Sequence, residues 1–291
     1  MNMILGLLTG ALISVMVTIN GKLTGCVGGY AAAVVIHIVG TAFAAILCLI
    51  RRERIFKKRG VPAWAYLGGV IGVFSTLFNN FAFGKISVTS ITALGLLGQS
   101  VAAALIDGFG LMGMPKRGVK KSTWAGMIIS LIGVGVMLDG SVASAVIAVL
   151  VSIGAGITVV LSRTVNARLS EKSGAVVGSF FNHLIGLPCC VALWLAIADF
   201  SAPAARPEVW MLTGGMFGVA VVLLFNVVVP RLPAFRLTLL SFLGQVFTGF
   251  AIDLITHQDV SGGLFWGGVI CAVGFLVSLL MEANVKRKEG A

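Results

Sequence analysis

Two glutamines lie near the middle of long apolar segments. Gln99 stands in residues 94–107, and Gln245 stands in the closely similar residues 240–253. An unbonded amide is costly in an apolar environment, so polar residues inside membrane segments point to a partner or a ligand. Glutamine offers two donors and an acceptor, which suits amides, carboxylates, hydroxyls or heterocycle edges. We predict that both contact a substrate; the alternative is an interhelical hydrogen bond worth about 0.6 kcal/mol.

Two histidines occupy two other apolar segments. His37 and His183 each lie about one third of the way along their segment, and we predict that they face opposite leaflets. Imidazole changes charge most readily near physiological pH, so either residue could carry a coupling proton. The alternative is a neutral histidine bonded to a neighbouring helix. No acidic residue lies nearby in sequence, so a metal site is not indicated.

Two aspartates follow the glutamines at a fixed distance. Asp107 and Asp253 each come eight residues later, about 12 Å along a helix at 1.5 Å per residue. This places them toward opposite membrane surfaces. We predict gating or helix-end ion pairs with Lys or Arg from adjacent loops; direct proton coupling is the alternative.

The elements that position these residues are membrane-spanning helices. The chain has 291 residues, of which 58% are hydrophobic and only 11% charged, against about 25% charged in soluble domains. Apolar runs near the roughly 20 residues that cross a bilayer recur throughout. This is typical of an all-α integral membrane protein. Ten helices are predicted, at about 3–19, 30–50, 64–83, 88–106, 123–138, 144–161, 174–198, 209–229, 235–255 and 263–281.

The net charge of +11 comes from short basic clusters between the apolar runs. With ten helices, 18 Lys and Arg residues fall on one side and three on the other. The positive-inside rule then predicts that both termini are cytoplasmic, in a bacterial-type inner (plasma) membrane. This pattern explains the charge without a nucleic-acid partner. The five cysteines form no metal or disulfide motif, and no cofactor is expected.

One constant offset of 146 residues matches a whole set of positions, among them the rare residue types His, Gln, Asp and Trp. An odd number of helices in each half makes the second enter the membrane from the opposite side. The halves, residues 1–140 and 141–291, are therefore predicted to form two five-helix inverted-topology repeats, as in many secondary transporters. The matched pairs are Asn20 with Asn166, His37 with His183, Gly40 with Gly186, Trp64 with Trp210, Gly68, Gly69 and Gly72 with Gly214, Gly215 and Gly218, Asn80 with Asn226, Gly98 with Gly244, Gln99 with Gln245, and Asp107 with Asp253.

Four asparagines and two helix-three hydroxyls are weaker candidates. Asn20, Asn166, Asn80 and Asn226 are predicted at or near helix ends, where backbone capping explains them. Asn80 is kept as a cavity residue because polar residues precede it on the same helix, and Asn226 is its repeat partner. The binding candidates of this group are Asn80, Asn226, Ser75 and Thr76. The glycine pairs in helices three and eight are predicted to allow close helix packing.

Three short motifs carry a family resemblance. They are the helix-one exit at 20–23 (Asn-Gly-Lys-Leu), His-Ile-Val-Gly at 37–40, and Gly-Gln at 98–99 followed by Ile-Asp at 106–107 and Gly110. With the five-plus-five plan, the chain resembles the drug/metabolite transporter superfamily, in its YdcZ-like or EamA-like branch. The resemblance implies a secondary transporter of the inner membrane. Small multidrug exporters of this superfamily use a glutamate in helix one, whereas helix one here offers only Thr9, Ser14 and Thr18, so that proton-coupled mechanism is not expected.

Together these observations predict a secondary active transporter, either permease or exporter, that moves small polar or amphipathic metabolites by alternating access. Its cavity is expected between helices three, four, eight and nine. No hydrolase, phosphate-binding or zinc-protease motif indicates an enzyme. A non-transporting scaffold, an intramembrane enzyme and a channel remain the alternatives. A small-molecule substrate and the lipid bilayer are the expected partners; proton or ion coupling and a homodimer stay open.

Overall fold

The computed structural model describes residues 1–55, 60–82, 85–86, 88–116, 120–138, 140–197, 205–255 and 262–289. The side chains of Asn80 and Asp253 lie outside the described part. The described residues form ten α-helices, and short 3₁₀ turns at Ala63–Tyr66 and Val209–Thr213 lead into the third and the eighth. The helices are α1 Asn2–Val27, α2 Gly29–Ile50, α3 Gly68–Ala82, α4 Val88–Phe109, α5 Lys121–Met137, α6 Val146–Ser173, α7 Ala175–Ile197, α8 Gly214–Val228, α9 Ala234–Ile255 and α10 Gly262–Glu289.

Eight helical segments in this part of the chain are long and apolar enough to cross a bilayer. They are α1, α2, α4, α6, α7, α9, α10 and the 3₁₀ turn that runs into α8. Two further apolar helices, α3 and α5, are shorter. The protein is therefore an α-helical, multi-pass integral membrane protein, as its composition predicts.

Helices α1 and α6 are longer than the sequence pattern predicts. Apolar character fades near Ile19 and Leu161, but each helix continues for two or three more turns. Hydropathy marks where a helix leaves an apolar environment, whereas the helix itself ends where the backbone breaks. Both breaks occur at glycines with positive φ, Gly28 at 81° and Gly174 at 90°, a conformation that costs glycine little.

Close helix crossings position α4 and α9. A side chain on Gly98 of α4 would meet the Ile153 carbonyl of α6, and one on Gly244 of α9 would meet the Leu7 carbonyl of α1. Small residues of this kind let membrane helices pack backbone against backbone. The two glutamines follow these two glycines directly, so the crossings fix where their side chains begin.

The glycines of α3 and α8 also pack closely, as predicted. Gly69 lies against the backbone of Asn182 in α7, and Gly215 lies against that of Ile36 in α2. The largest buried apolar cluster includes Leu96 of α4, Val160 of α6 and Leu237 of α9. Helices α5 and α10 pack chiefly against each other and lie beside this core.

Candidate functional site

Gln99 and Gln245 lie half-buried at the middle of α4 and α9, two helices that contact each other. The Gln245 amide donates a 3.2 Å hydrogen bond to the Ser241 carbonyl one turn earlier. The hydroxyl of Ser14 in α1 donates to the Gln245 backbone carbonyl at 3.1 Å. Among the described residues, the Gln99 amide makes no hydrogen bond with another side chain or with the backbone. Its donors and acceptor therefore remain available to a ligand.

His37 and His183 meet where α2 crosses α7. Their ring centroids are 5.6 Å apart. The prediction that they face opposite leaflets was wrong, because the length of an apolar run does not give the depth at which two helices cross.

Each histidine is held in the same way. His37 Nδ1 lies 2.9 Å from the Ala33 carbonyl, and His183 Nδ1 lies 2.9 Å from the Ser179 carbonyl. Since a carbonyl can only accept, Nδ1 is the donor in both rings, and in the neutral ring Nε2 then presents its lone pair. Each ring also fills the space beside a glycine of the opposite helix, His37 at Gly186 and His183 at Gly40.

A small, almost wholly apolar pocket adjoins the histidines. It lies between α2, α3 and α7. Of these, α3 is one of the helices predicted to line the cavity, whereas α2 and α7 are not. Thr76 is exposed and lines it, whereas the hydroxyl of the neighbouring Ser75 donates to the Gly72 carbonyl at 2.6 Å. Cys190 Sγ lies 3.4 Å from His37 Nδ1 and connects the pocket with the histidine pair. The lining residues are Tyr30, Ala33, Val73, Thr76, Leu77, Cys190 and Leu193.

Asn226 is buried in α8 and bonded to the start of α7. Its amide donates to the Ala175 carbonyl at 3.1 Å and to the Ser179 hydroxyl at 3.5 Å. These bonds hold α8 against α7.

Asn20 and Asn166 lie well inside helices, so the prediction that they sit at helix ends was wrong. The extended α1 and α6 explain the error. The Asn20 side chain lies against Gly214 at the start of α8, and that of Asn166 lies against Gly68 at the start of α3. Asn166 also donates a 2.7 Å hydrogen bond to Asn182.

Asp107 caps a helix other than its own. Its two carboxylate oxygens accept hydrogen bonds from the backbone amides of Ala234 at 2.8 Å and Phe235 at 3.0 Å. These are unsatisfied donors at the positive end of α9, where a carboxylate is favourable. The prediction of a helix-end role is thus refined: the carboxylate joins α4 to α9.

Arg163 is the functional candidate that the sequence pattern misses. The charge count assigns it to a loop, but it lies inside α6 and is only 4% exposed. Its guanidinium donates to the Ala234 carbonyl and to the Thr238 hydroxyl of α9, and it lies over the Phe225 ring at 5.4 Å. One signal could have revealed it: 146 residues earlier stands Val17 of α1, so Arg163 is a charge where the other half has an apolar residue.

Further charges meet at the same end of the bundle. Glu282 of α10 pairs with Arg236 of α9 and, at 3.1 Å, with Lys120 before α5. This brings α9, α10 and the start of α5 together. In the described residues, His, Cys, Asp and Glu form no group of three that could hold a metal ion.

The family comparison decides the general role of this bundle. The model of the family described as "Putative inner membrane exporter, YdcZ" matches residues 1–136 and 147–277. The chain belongs to the YdcZ family. This family lies in the superfamily branch that the sequence motifs resemble, so that resemblance is confirmed. The protein is thus a multi-pass inner membrane protein and a membrane transporter, which implies a small-molecule substrate and a lipid bilayer around it.

Solved structures agree with this fold. One solved structure, described as "Crystal structure of protein", superposes with a TM-score of 0.75. The match covers 98% of this chain and 97% of that chain, at 14% sequence identity. At that identity the likeness concerns the fold alone. No protein with a curated description matches the chain.

Proposed function

We propose that the protein is a secondary transporter in which two inverted five-helix repeats, residues 1–140 and 141–291, open a shared central site to each side of the membrane in turn. All ten helices cross the bilayer, and both termini lie in the cytoplasm. The family model supports the repeats, because its two matched segments, 1–136 and 147–277, divide the chain at the same place. Inverted repeats of this kind are the usual basis of alternating access.

The observation that carries the proposal is a set of exchanged contacts. His37 packs on Gly186, and the equivalent contact with the halves exchanged is His183 on Gly40. The same exchange relates the contact of Asn20 with Gly214 to that of Asn166 with Gly68. Contacts of this form are what a two-fold axis between the halves requires.

Whole helices follow the same rule. The packing of α1 on α9 has its counterpart in α6 on α4. Likewise, α3 on α6 corresponds to α8 on α1, and α2 on α8 corresponds to α7 on α3. Helices α2 and α7 pack against each other, as do α5 and α10; contacts between equivalent helices of this kind support a two-fold axis that passes between them.

Within this arrangement, Gln99 is the foremost substrate contact because its amide has no partner in the described structure. Gln245 supplies the equivalent amide, and Thr76 faces the small pocket beside the histidines. His37 and His183, which touch across the axis, are placed to respond together when the halves move and to carry a coupling proton. The bonds of Asn226 and Ser75 favour packing roles for these two residues. Amide and hydroxyl groups of this kind suit small polar or amphipathic metabolites.

A ligand screen with matched variants tests this proposal. Purified protein is heated with a metabolite library at two pH values. A true cargo at 100 times its Kd should add about 2.7 kcal/mol of stability. Gln99→Ala should abolish the shift produced by that cargo, whereas Ser75→Ala, which removes a hydroxyl bonded within its own helix, should retain it.

Reconstituted flux gives the deciding readout of the same screen. Saturable uptake that is lost in Gln99→Ala and Gln245→Ala supports the proposal. Equal ligand binding by the parent and both variants, with no saturable flux of any stabilising compound, would contradict it.

A further inference from the structure

Arg163 breaks the equivalence of the two halves. Around it, the other polar partners recur at the 146-residue offset: Asp107 matches Asp253, and Thr238 matches Thr92. Arg163 itself matches Val17. One end of the bundle therefore has a buried guanidinium at a position where the other end has an apolar side chain.

At the Asp107 end, two opposite charges hold the first turn of α9. The Asp107 carboxylate of α4 accepts hydrogen bonds from the backbone amides of Ala234 and Phe235. The Arg163 guanidinium of α6 donates hydrogen bonds to the Ala234 carbonyl and the Thr238 hydroxyl. The first turn of α9 is thus bound through both its donors and its acceptors, to two different helices.

This arrangement is costly if its only purpose is packing. Arg163 is 4% exposed, and its second terminal nitrogen, Nη1, has no hydrogen-bond partner among the described residues. Ionisable residues within membrane segments are expensive and are generally functional. An apolar residue serves the equivalent position of the other half, so the fold does not demand a charge there.

We propose that Arg163 is a one-sided latch, a positioning residue that holds α9 against α4 and α6 and so keeps this end of the transporter closed at rest. The proposal rests on the proposed function, since it assumes that the two ends open in turn. Two equivalent halves would by themselves make the two closed ends nearly equal in free energy. The hydrogen bonds of the Arg163 guanidinium have no arginine counterpart at position 17 of the other half, so they favour closure of this end, which the charge count assigns to the cytoplasm.

Hydrogen exchange measured by mass spectrometry on the full-length protein in lipid nanodiscs tests the latch without a substrate. Arg163→Gln should raise the exchange of residues 234–238 by about tenfold to a hundredfold, the equivalent of one hydrogen bond to a charged group. Exchange of the repeat-equivalent residues 88–92 should stay the same. Arg163→Lys keeps the charge but loses the forked donor geometry, so it should restore the slower exchange only in part.

Two threonines provide a matched pair of milder variants. Thr238→Val removes a partner of Arg163 and should speed exchange at the start of α9. Thr92→Val makes the same change at the offset position, where the equivalent of Arg163 is Val17, and should leave residues 234–238 unaffected. Unchanged exchange in Arg163→Gln and Thr238→Val, or an equal rise at both ends, would overturn the latch.

Labelling with an impermeant thiol reagent distinguishes a failure of the latch from a failure of alternating access. Gln99→Cys should react from both sides of oriented vesicles, and adding Arg163→Gln should increase the fraction that reacts from the cytoplasmic side. Reaction from both sides with an unchanged ratio would overturn the latch alone. Reaction from neither side would overturn alternating access, and the latch with it.

Discussion

Asp107→Ala is expected to lower the free energy of unfolding by about 2–4 kcal/mol, because it leaves two buried backbone amides without their acceptors. The carboxylate caps two backbone amides at the start of α9. Its loss leaves those amides unpaired at the buried start of α9. Reversible unfolding in mixed micelles, followed by circular dichroism, measures the difference.

Two variants serve as controls for this result. Asp107→Asn keeps one acceptor but no charge, so its cost should be intermediate. Glu171→Ala removes an acid of α6 that pairs with Arg168 near the surface, and such a pair contributes at most about 1 kcal/mol. If Asp107→Ala cost no more than Glu171→Ala, the carboxylate would not hold α9 as described.

Gly98→Ala is the second substitution expected to have a large effect. The added methyl group would meet the Ile153 carbonyl of α6. A backbone atom cannot rotate away as a side chain can, so α4 and α6 must separate. Overpacking of this kind costs about 1–3 kcal/mol, and occasionally more. Because Gln99 follows directly, its amide should move as well, and ligand binding should weaken together with stability.

The matched control for Gly98→Ala lies one turn earlier on the same helix. A side chain on Gly95 would meet nothing within 4 Å, so Gly95→Ala should be neutral or should gain about 0.5–1 kcal/mol from better helix propensity. Thermal unfolding of the two variants, measured side by side, makes the comparison. Similar melting temperatures for both would show that the α4–α6 crossing is looser than described.

The residue pairs at the 146-residue offset predicted where several polar residues and glycines lie in the helices. Gln99 and Gln245 do lie at the middle of α4 and α9, and the glycines of α3 and α8 do allow close packing. These predictions agree with the structure because they rest on residue type and spacing. Such features are local, and they survive small errors in where a helix begins or ends.

The errors share one physical cause. Hydropathy shows where a helix leaves an apolar environment and not where its backbone ends. The helix ends predicted from it for α1 and α6 therefore came too early, and Arg163 was assigned to a loop. The depth of His37 and His183 was judged from the same runs, although their contact depends on where α2 and α7 cross. Asp107 was assigned a partner from a loop, yet it binds the backbone of α9. Interactions between distant helices of this kind leave no periodic pattern in the sequence.

Labelling at the two glutamines tests the central claim, a shared site that opens to each side in turn. Gln99→Cys and Gln245→Cys are placed in oriented vesicles, an impermeant thiol reagent is added to one side at a time, and modification is read peptide by peptide against the native cysteines. Alternating access predicts that both positions are modified from either side. Modification of both positions from one side only, or from neither, would contradict it.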